Sequence, residues 1–462
     1  MGDASQRFAF LDQDSFDALV KTRASQKFNH FRGLVIGGAE ESAKAFPSPD
    51  RPDLEYFRRL DQRILALNKA GIIADLVLAG GQNHLVKLFP TWQQRERYVR
   101  YVVGRYSAMH VTWQGVQEFE DYENGRELLK EVGTLLKKLD PYDHPRSTGA
   151  AVISAPLFGD GWMSYLTDHS AGVQVGAIEH QLHAAPFVNT GLGRDGGGAP
   201  VDTLRKQLWN AAVNGEYPTN AADNLDSSAA RQMTVWFDFF SGTRYWELEP
   251  YFDVDGGRAL ALEIPNDEEL EGIEYIVYVE KPGPVEIVLQ RRKYDVAWFN
   301  PITGERFKQK EFRGDRLKIE PPDTKHDWVL HVSRESKKEG MLRSYKFATH
   351  PILLQEVEQN VQRTPYEIVE PSGDALSVGK PVRFAAKITR ETRATRNMMW
   401  LWTGAVSADG QGYRVLGTGV EGEMRIPASL ASQYPAVMSL RLTGMNANGK
   451  VYFHDKVYRL TQ

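Results

Sequence analysis

Three acidic residues follow a short apolar segment at residues 111–125, which read VTWQGVQEFEDYENG and place Glu118, Glu120 and Asp121 within four positions. Acidic side chains are unfavourable inside strands, so such a cluster at a strand end indicates a solvated loop or a site. Paired carboxyl groups are suited to general acid/base chemistry, in which one donates a proton and the other attacks or activates water. We expect one of the three to face a cavity and the others to cap the helix that follows.

A second candidate carboxylate is Glu179 in GAIEHQLH (176–183), which we expect at the end of an apolar strand. A buried glutamate needs hydrogen-bond partners, and His180 and His183 could supply them. The alternative is an ordinary salt bridge at a strand end. The three-residue spacing of the histidines puts them on opposite faces of a strand, so we expect no metal there.

The segment RYWELEP (244–250) supplies a third candidate. Alternation puts Glu247 and Glu249 on one face, and Glu247 could reach the mouth of a barrel from its last strand. The alternative is an ion pair at a domain junction. The residues expected to contact a substrate or shape its subsites are Trp113, Gln117, His180, His183, Asn189, Arg244, Tyr245 and Trp246.

The elements that must position these residues alternate between apolar strands and amphipathic helices over residues 1–250, which predicts a parallel α/β domain. The predicted strands are 31–38, 71–80, 109–117, 147–153, 172–181, 186–191 and 239–247. Seven strands with helices between them predict a (β/α)8, TIM-like barrel whose first strand is short. Only LHAA separates the strands predicted at 172–181 and 186–191, so either a helix is missing there or one element has been split in two.

After residue 250 the pattern changes to short strands separated by turns. We predict two all-β sandwich domains, at residues 251–335 and 345–462, the second of them Ig-like. The glycine-rich stretch 191–200 lacks the Gly-Lys-Ser/Thr of a phosphate loop and is expected to be a rim loop.

Composition excludes several functions. The 462 residues carry a formal net charge of −4, which gives no broad attraction to nucleic acid or to an anionic membrane. The chain has no cysteine, so thiol catalysis and zinc–thiolate sites are excluded. The sequence contains no run of 18 apolar residues, so it predicts no membrane-spanning helix. The first residues lack the features of a signal peptide, so the expected secreted or periplasmic location requires that one was removed.

Six segments of the chain carry a resemblance to a known family: GDAS (2–5), FNHFRGLVI (28–36), DLEYFRRLDQRILALNKAGIIADLVL (53–78), RYVVGRYSAMHVTWQGVQE (100–118), LDPYDHPRSTGA (139–150) and WFNPITGE (298–305). They resemble the apiosidase-like glycoside hydrolases, a (β/α)8 family whose members often carry a C-terminal domain labelled as collagen-binding. The resemblance covers roughly residues 2–335 and implies that Glu118, preceded by Gln117 instead of the usual Asn, is the acid/base. It also implies a nucleophilic Glu on strand seven, where this chain has Gly191 in PFVNTGLGRDGG (186–197).

We therefore expect a glycoside hydrolase that acts on a plant or microbial polysaccharide or its side chains and uses no cofactor. Glu118 is the expected acid/base, and Glu179 or Glu247 the second carboxylate. The main alternative is a non-catalytic carbohydrate- or matrix-binding protein, which Gly191 supports, and a weaker one is a polysaccharide lyase. The carbohydrate substrate is the only partner that the sequence predicts, and the sequence leaves the oligomeric state open.

Overall fold

The computed structural model describes residues 1–6, 8–37, 39–193, 200–220, 228–266, 269–334, 364–406, 413–426 and 437–461. Eight parallel strands form a barrel in the order β5-β4-β3-β2-β1-β8-β7-β6. These strands are β1 (Gly2–Gln6), β2 (His30–Leu34), β3 (Ile73–Ala79), β4 (Val111–Val116), β5 (Arg146–Ser147), β6 (Leu166–Asp168), β7 (Phe187–Asn189) and β8 (Glu216–Asn220). The predicted TIM-like barrel is thus confirmed.

Helices surround the barrel: α1 (Gln13–Ser25), α2 (Ala39–Ala45), α3 (Leu54–Lys69), α4 (His84–Leu88), α5 (Trp92–Tyr106), α6 (Gly125–Leu139), α7 (Val173–Leu182), α8 (Val201–Val213) and α9 (Ser228–Phe240). Local chemistry sets where several of them begin. The Asp53 side chain accepts from the backbone N–H of Tyr56 at the start of α3, and Thr91 forms a capping box with Gln94 at the start of α5.

Two of the predicted strands are wrong. Residues 172–181 belong to helix α7, and residues 239–247 contain the end of α9 and a 3₁₀ turn at Tyr245–Glu247. Helix α7 connects β6 to β7, so it is the crossover that was missing from the predicted order of strands. The last strand of the barrel is β8, which the sequence pattern did not reveal.

Polar side chains inside the barrel show which face of β4 points inward. The Asp75 carboxylate accepts from Arg32 Nε at 2.8 Å and from Thr112 Oγ1 at 2.7 Å, and the Tyr165 hydroxyl lies 3.3 Å from it. These residues come from different strands or their approaches, so they meet only in the barrel interior. Because alternate side chains of a strand point to opposite faces, Thr112 and Gln114 point inward and Trp113 points towards the helices.

The first β-rich region contains β9 (Glu249–Tyr251), β10 (Val254–Asp255), β11 (Arg258–Asn266), β12 (Glu269–Val279), β13 (Val285–Phe299), β14 (Arg306–Lys308), β15 (Phe312–Ile319) and β16 (Trp328–Ser333). Strand β13 pairs with β10 and β15 over its first part and with β14 and β16 over its second part. The sheet therefore folds over a core of its own, which includes Tyr275, Trp298 and Trp328.

The second β-rich region contains β17 (Tyr366–Glu370), β18 (Ala375–Ser377), β19 (Pro381–Ile388), β20 (Met399–Ala405), β21 (Arg414–Thr418), β22 (Glu421–Arg425), β23 (Val437–Met445) and β24 (Val451–Thr461). These strands form a three-stranded and a five-stranded sheet that share a core, as in a sandwich. Among the described strands of both β-rich regions, all pairings are antiparallel except that of β18 with β24.

Both β-rich regions pack against the barrel. Trp209 of α8 stacks on Tyr278 of β12 with ring centroids 5.9 Å apart, and Leu401 of β20 is buried in the same apolar cluster as the barrel core. A buried ion pair also joins α8 to the first β-rich region: Arg205 Nη2 lies 2.6 Å from Oδ1 of Asp327.

Candidate active site at the carboxyl ends of the strands

Glu118 lies where the chain leaves strand β4. The backbone N–H of Gln117 still donates to the carbonyl of Ala79 on β3, at 3.0 Å, and the next residue leaves the ladder. Glu118 has φ of 50°, in the left-handed region, and its carbonyl accepts from Asp121 N to close the 3₁₀ turn Phe119–Asp121. A residue other than glycine rarely adopts this conformation, and such residues cluster at functional sites.

The Glu118 side chain turns towards the loop that follows β3. A Cβ atom placed on Gly81 would lie 3.0 Å from Oε2 of Glu118, so the glycine leaves room for the carboxylate. The side chain is half-buried, and within the described residues no hydrogen bond to its carboxylate is found.

Glu120 turns the other way, towards the loop after β5. Its Oε2 accepts from the backbone N–H of Ala151 at 3.1 Å, and burial raises the pKa of its carboxyl group. Arg414 of β21 donates to the carbonyl of Glu120 at 3.2 Å, so the second β-rich region reaches this end of the barrel. The prediction that Glu120 caps the next helix is wrong, since the N-cap of α6 is Asn124.

Further polar groups at this end of the barrel were not predicted from the sequence. The Tyr122 hydroxyl donates to the carbonyl of Gly80 at 2.5 Å, which holds the loop after β3 against the loop after β4. His84 begins helix α4 beside that loop, and burial lowers the pKa of its ring. A ring nitrogen of His169, directly after β6, lies 2.6 Å from the carbonyl of Ala150. Single residues in loops carry no periodic signal, so only their neighbours along the chain could have pointed to them.

Gly191, where the resemblance places a nucleophile, has no space for a side chain. A Cβ atom there would lie 2.1 Å from the carbonyl oxygen of His169. Asn189, the last residue of β7, donates to the carbonyl of Ser170 at 3.1 Å and accepts from Gly191 N at 3.0 Å. These backbone contacts fix the turn, so Asn189 holds the loop after β7 and its polar atoms already have protein partners.

Two buried carboxyl groups lie behind this turn, between the strands and helix α7. Asp168 ends β6 and Glu216 begins β8, and the charge of Glu216 acts on the Asp168 carboxyl group. Burial raises the pKa of both groups, most strongly that of Asp168, so the pair holds a proton that two exposed carboxylates would release. A Cβ on Gly176 of α7 would lie 2.4 Å from Glu216, which places the pair on the outer side of the strands. Asn214 also donates to Glu216, at 3.1 Å.

Trp113 points away from the barrel interior, and Gln117 lies just beyond the end of β4. The Trp113 side chain is fully buried, and its Nε1–H donates to Asp140, at the C-terminus of α6, over 3.0 Å. Trp113 therefore packs on the outside of the barrel, and the expectation that it shapes a sugar subsite is wrong. Gln117 is half-buried next to Glu118, and its Cα would lie 3.4 Å from a Cβ on Gly149.

Glu179 lies on the outer helix α7, away from the strand ends. Its carboxylate is buried and accepts from the Tyr413 hydroxyl at 2.9 and 2.8 Å. His183 Nδ1 lies 3.2 Å from Oε2 of Glu179. Burial opposes the charge on His183, but its hydrogen bond to Glu179 and the charge of that carboxylate together raise the pKa of the ring.

The remaining predicted residues gather near the amino-terminal ends of the strands. Tyr245 packs edge-on against Tyr217 at the start of β8, with ring centroids 5.8 Å apart. His180 Nε2 lies 2.9 Å from Glu249 Oε2. The others in this group are Arg244 and Glu247, which form an ion pair, and Trp246, which is 56 % exposed. The structure thus brings neither Glu179 nor Glu247 to the strand ends where Glu118 lies.

The described residues contain neither a candidate metal cluster nor a helix that could span a membrane. No group of three or more His, Cys, Asp or Glu side chains in these residues could hold an ion. No helix in the same part of the chain is long and apolar enough to cross a membrane.

The apiosidase-like catalytic domain family has a model that matches residues 5–170. Over these residues the barrel is similar to the catalytic domain of that family. The match runs from β1 to just beyond β6 and contains Glu118 and Glu120. It ends before β7 and Gly191, where this chain departs from the pattern expected of the family. No curated protein matches the chain.

Solved structures share the fold of the barrel and of part of the chain that follows. One described as a glycoside hydrolase has a TM-score of 0.60 at 14% identity, over 73% of this chain and 92% of its own. A glycoside hydrolase family 5 protein from Bacteroides vulgatus ATCC 8482 has a TM-score of 0.59 at 15% identity, over 76% and 92% of the two chains. Identities this low establish the shared fold alone.

Proposed function

We propose that the protein hydrolyses a glycosidic bond in a plant or microbial polysaccharide or its side chains, with Glu118 as the proton donor. The observation that carries the proposal is the placement of Glu118 at the carboxyl end of β4, inside the segment that matches the catalytic family. Active sites of (β/α)8 enzymes lie at this end of the strands. A secreted or periplasmic location would suit such a substrate and is tested by fractionating the native host.

Glu120 is our candidate for the second carboxyl group. It stays at the same end of the barrel, whereas Gly191 leaves no room for a carboxylate on the loop after β7. A carboxyl group that activates water must be ionised, and burial raises the pKa of Glu120. Activity should therefore rise with pH through that raised pKa. In Glu120→Gln this acidic limb of the pH–rate profile should be lost together with most of the activity, and a profile of unchanged shape would exclude the assignment.

The test of the proposal is the release of sugar from a panel of plant and microbial glycans, followed by chromatography. Loss of a general acid costs about 10²- to 10⁴-fold in rate, so Glu118→Gln should fall by that factor on the glycan that the wild type cleaves. The matched control is Glu123→Gln, because Glu123 is an exposed carboxylate five residues further on. Its activity should equal that of the wild type.

Two results would contradict the proposal. Equal loss in Glu118→Gln and Glu123→Gln would mean that any charge change in this loop impairs the protein. No release from any glycan, together with retention of the protein on one of them when immobilised, would favour a carbohydrate-binding protein. Gly191 would then be the structural reason.

A further inference from the structure

A cavity of about 290 Å³ lies between helix α7 of the barrel and the second β-rich region. One wall is the outer face of the sheet formed by β20, β23 and β24, and the other is the side of α7 that carries Glu179 and His183. Neither Glu118 nor Glu120 lines the cavity, although Arg414, next to Tyr413 of its wall, donates to the carbonyl of Glu120. Hydrolysis as proposed above makes no use of it.

Alternating side chains of β20 and β23 build the sheet wall. Trp400 and Trp402 point into the core of the sandwich, so the residues between and beyond them face the barrel. Three directly opposed pairs line the cavity: Leu401 with Thr443, Thr403 with Arg441, and Ala405 with Ser439. Along β23, the hydroxyl groups of Ser439 and Thr443 therefore lie on either side of the Arg441 guanidinium.

The charged groups of the cavity are already balanced by protein partners. Glu179 accepts from Tyr413 and lies against His183, whose raised pKa favours the protonated ring. Arg441 donates to both oxygens of Asp455, at 2.7 and 2.8 Å. A ligand with a net charge would therefore meet no unbalanced opposite charge on these walls, and a neutral ligand fits best.

We propose that this cavity binds one neutral sugar unit. Sugar hydroxyl groups both donate and accept hydrogen bonds, and so do the hydroxyls of Thr403, Ser439 and Thr443 in the cavity wall. Leu182 and Leu401 offer apolar surface to the C–H face of the ring. The volume lies near the lower limit of small-molecule sites, roughly 300 Å³, which suits a single unit rather than an oligosaccharide.

The binding site is shared by two parts of the chain. The Tyr413 hydroxyl reaches from the sandwich to Glu179 on α7, and the backbone N–H of Trp400 donates to the Gln174 side chain at 2.6 Å. A sugar held between these walls would contact both parts at once. The inference goes beyond the proposed hydrolysis, since binding here needs neither Glu118 nor Glu120.

The test is saturation-transfer NMR of the full chain with the methyl β-glycosides of glucose, galactose, mannose and xylose. We expect transfer to at least one of them with the wild type and equally with Glu118→Gln, in which hydrolysis of the glycoside is suppressed. Ser439→Phe places a ring in the cavity and should remove most of the transfer, whereas the matched Ser439→Ala should keep it. Transfer that is undiminished in Ser439→Phe, or that is absent for all four glycosides with the wild type, would overturn the proposal.

A second variant covers the case in which Ser439→Phe does not fold. Thr403→Val keeps the shape of the side chain and removes one hydroxyl from the wall. Loss of a hydrogen bond worth about 1 kcal/mol should weaken binding about fivefold by titration. Unchanged affinity in a Thr403→Val protein of wild-type stability would contradict the assignment, and sugar release by the same variant should be unchanged.

Discussion

Replacement of Gly191 by alanine should destabilise the barrel although it adds a single methyl group. The new Cβ would lie 2.1 Å from the carbonyl oxygen of His169 and 2.4 Å from its carbon, and neither atom can move without the backbone. Overpacking by one methylene typically costs about 1–3 kcal/mol, and a contact with backbone should lie at or above the upper end of that range. The same contact explains why the position cannot carry a nucleophilic glutamate.

The assay is urea unfolding followed by circular dichroism at 222 nm, because every helix in the described residues belongs to the barrel part of the chain. Gly104→Ala is the matched control: Gly104 lies on the exposed side of α5, and nothing lies within 4 Å of its added Cβ. It should stabilise the barrel by about 0.5–1 kcal/mol, the usual gain of alanine over glycine in a helix. Gly191→Ala with stability equal to or above that of the wild type would refute the reasoning.

Two further predictions concern buried charges. Arg205→Met should lower the free energy of unfolding by about 3–5 kcal/mol, because Asp327 would keep a buried charge without its cation. A loss below 1 kcal/mol in urea unfolding would contradict this prediction. The raised pKa values of Asp168 and Glu216 mean that the folded protein keeps a proton that the unfolded chain releases. The stabilisation that these two protonated groups contribute is complete below the unfolded pKa and is lost as pH rises through the folded values. In Asp168→Asn the free energy of unfolding, measured by the same assay between pH 4 and 8, should therefore fall less steeply with pH. An unchanged slope would exclude the pair as the source of the pH dependence.

The barrel could be predicted because most of its strands are apolar runs between helices with clear periodicity. Strands β6 and β8 escaped for a physical reason. The first is LTD, three residues long, and the second is EYPTN, which contains a proline and no apolar run. Contacts with neighbouring strands, and not their own composition, make them strands. The run at 172–181 shows the converse, since a short apolar segment of this kind fits a buried helix as well as a strand.

The position of Glu118 at the end of β4 could be predicted because a carboxylate that follows a recognisable strand is visible in the sequence. The predicted partners of Glu179 are confirmed only in part. His183 lies against its carboxylate as expected, but the other partner is Tyr413, 234 residues further on. No local pattern predicts a contact between a barrel helix and the last sandwich. The closed space at Gly191 was equally hidden, because it depends on where the carbonyl of His169 lies.

The central claim is that Glu118 donates a proton to the leaving oxygen, and the most direct test compares two leaving groups. Wild type and Glu118→Gln are assayed on the natural glycoside and on the 2,4-dinitrophenyl glycoside of the same sugar, whose leaving group needs no proton. The variant should lose about 10²-fold or more on the natural glycoside and much less on the activated one. An equal loss on both substrates would show that Glu118 has another role, and the assignment of the acid would be wrong.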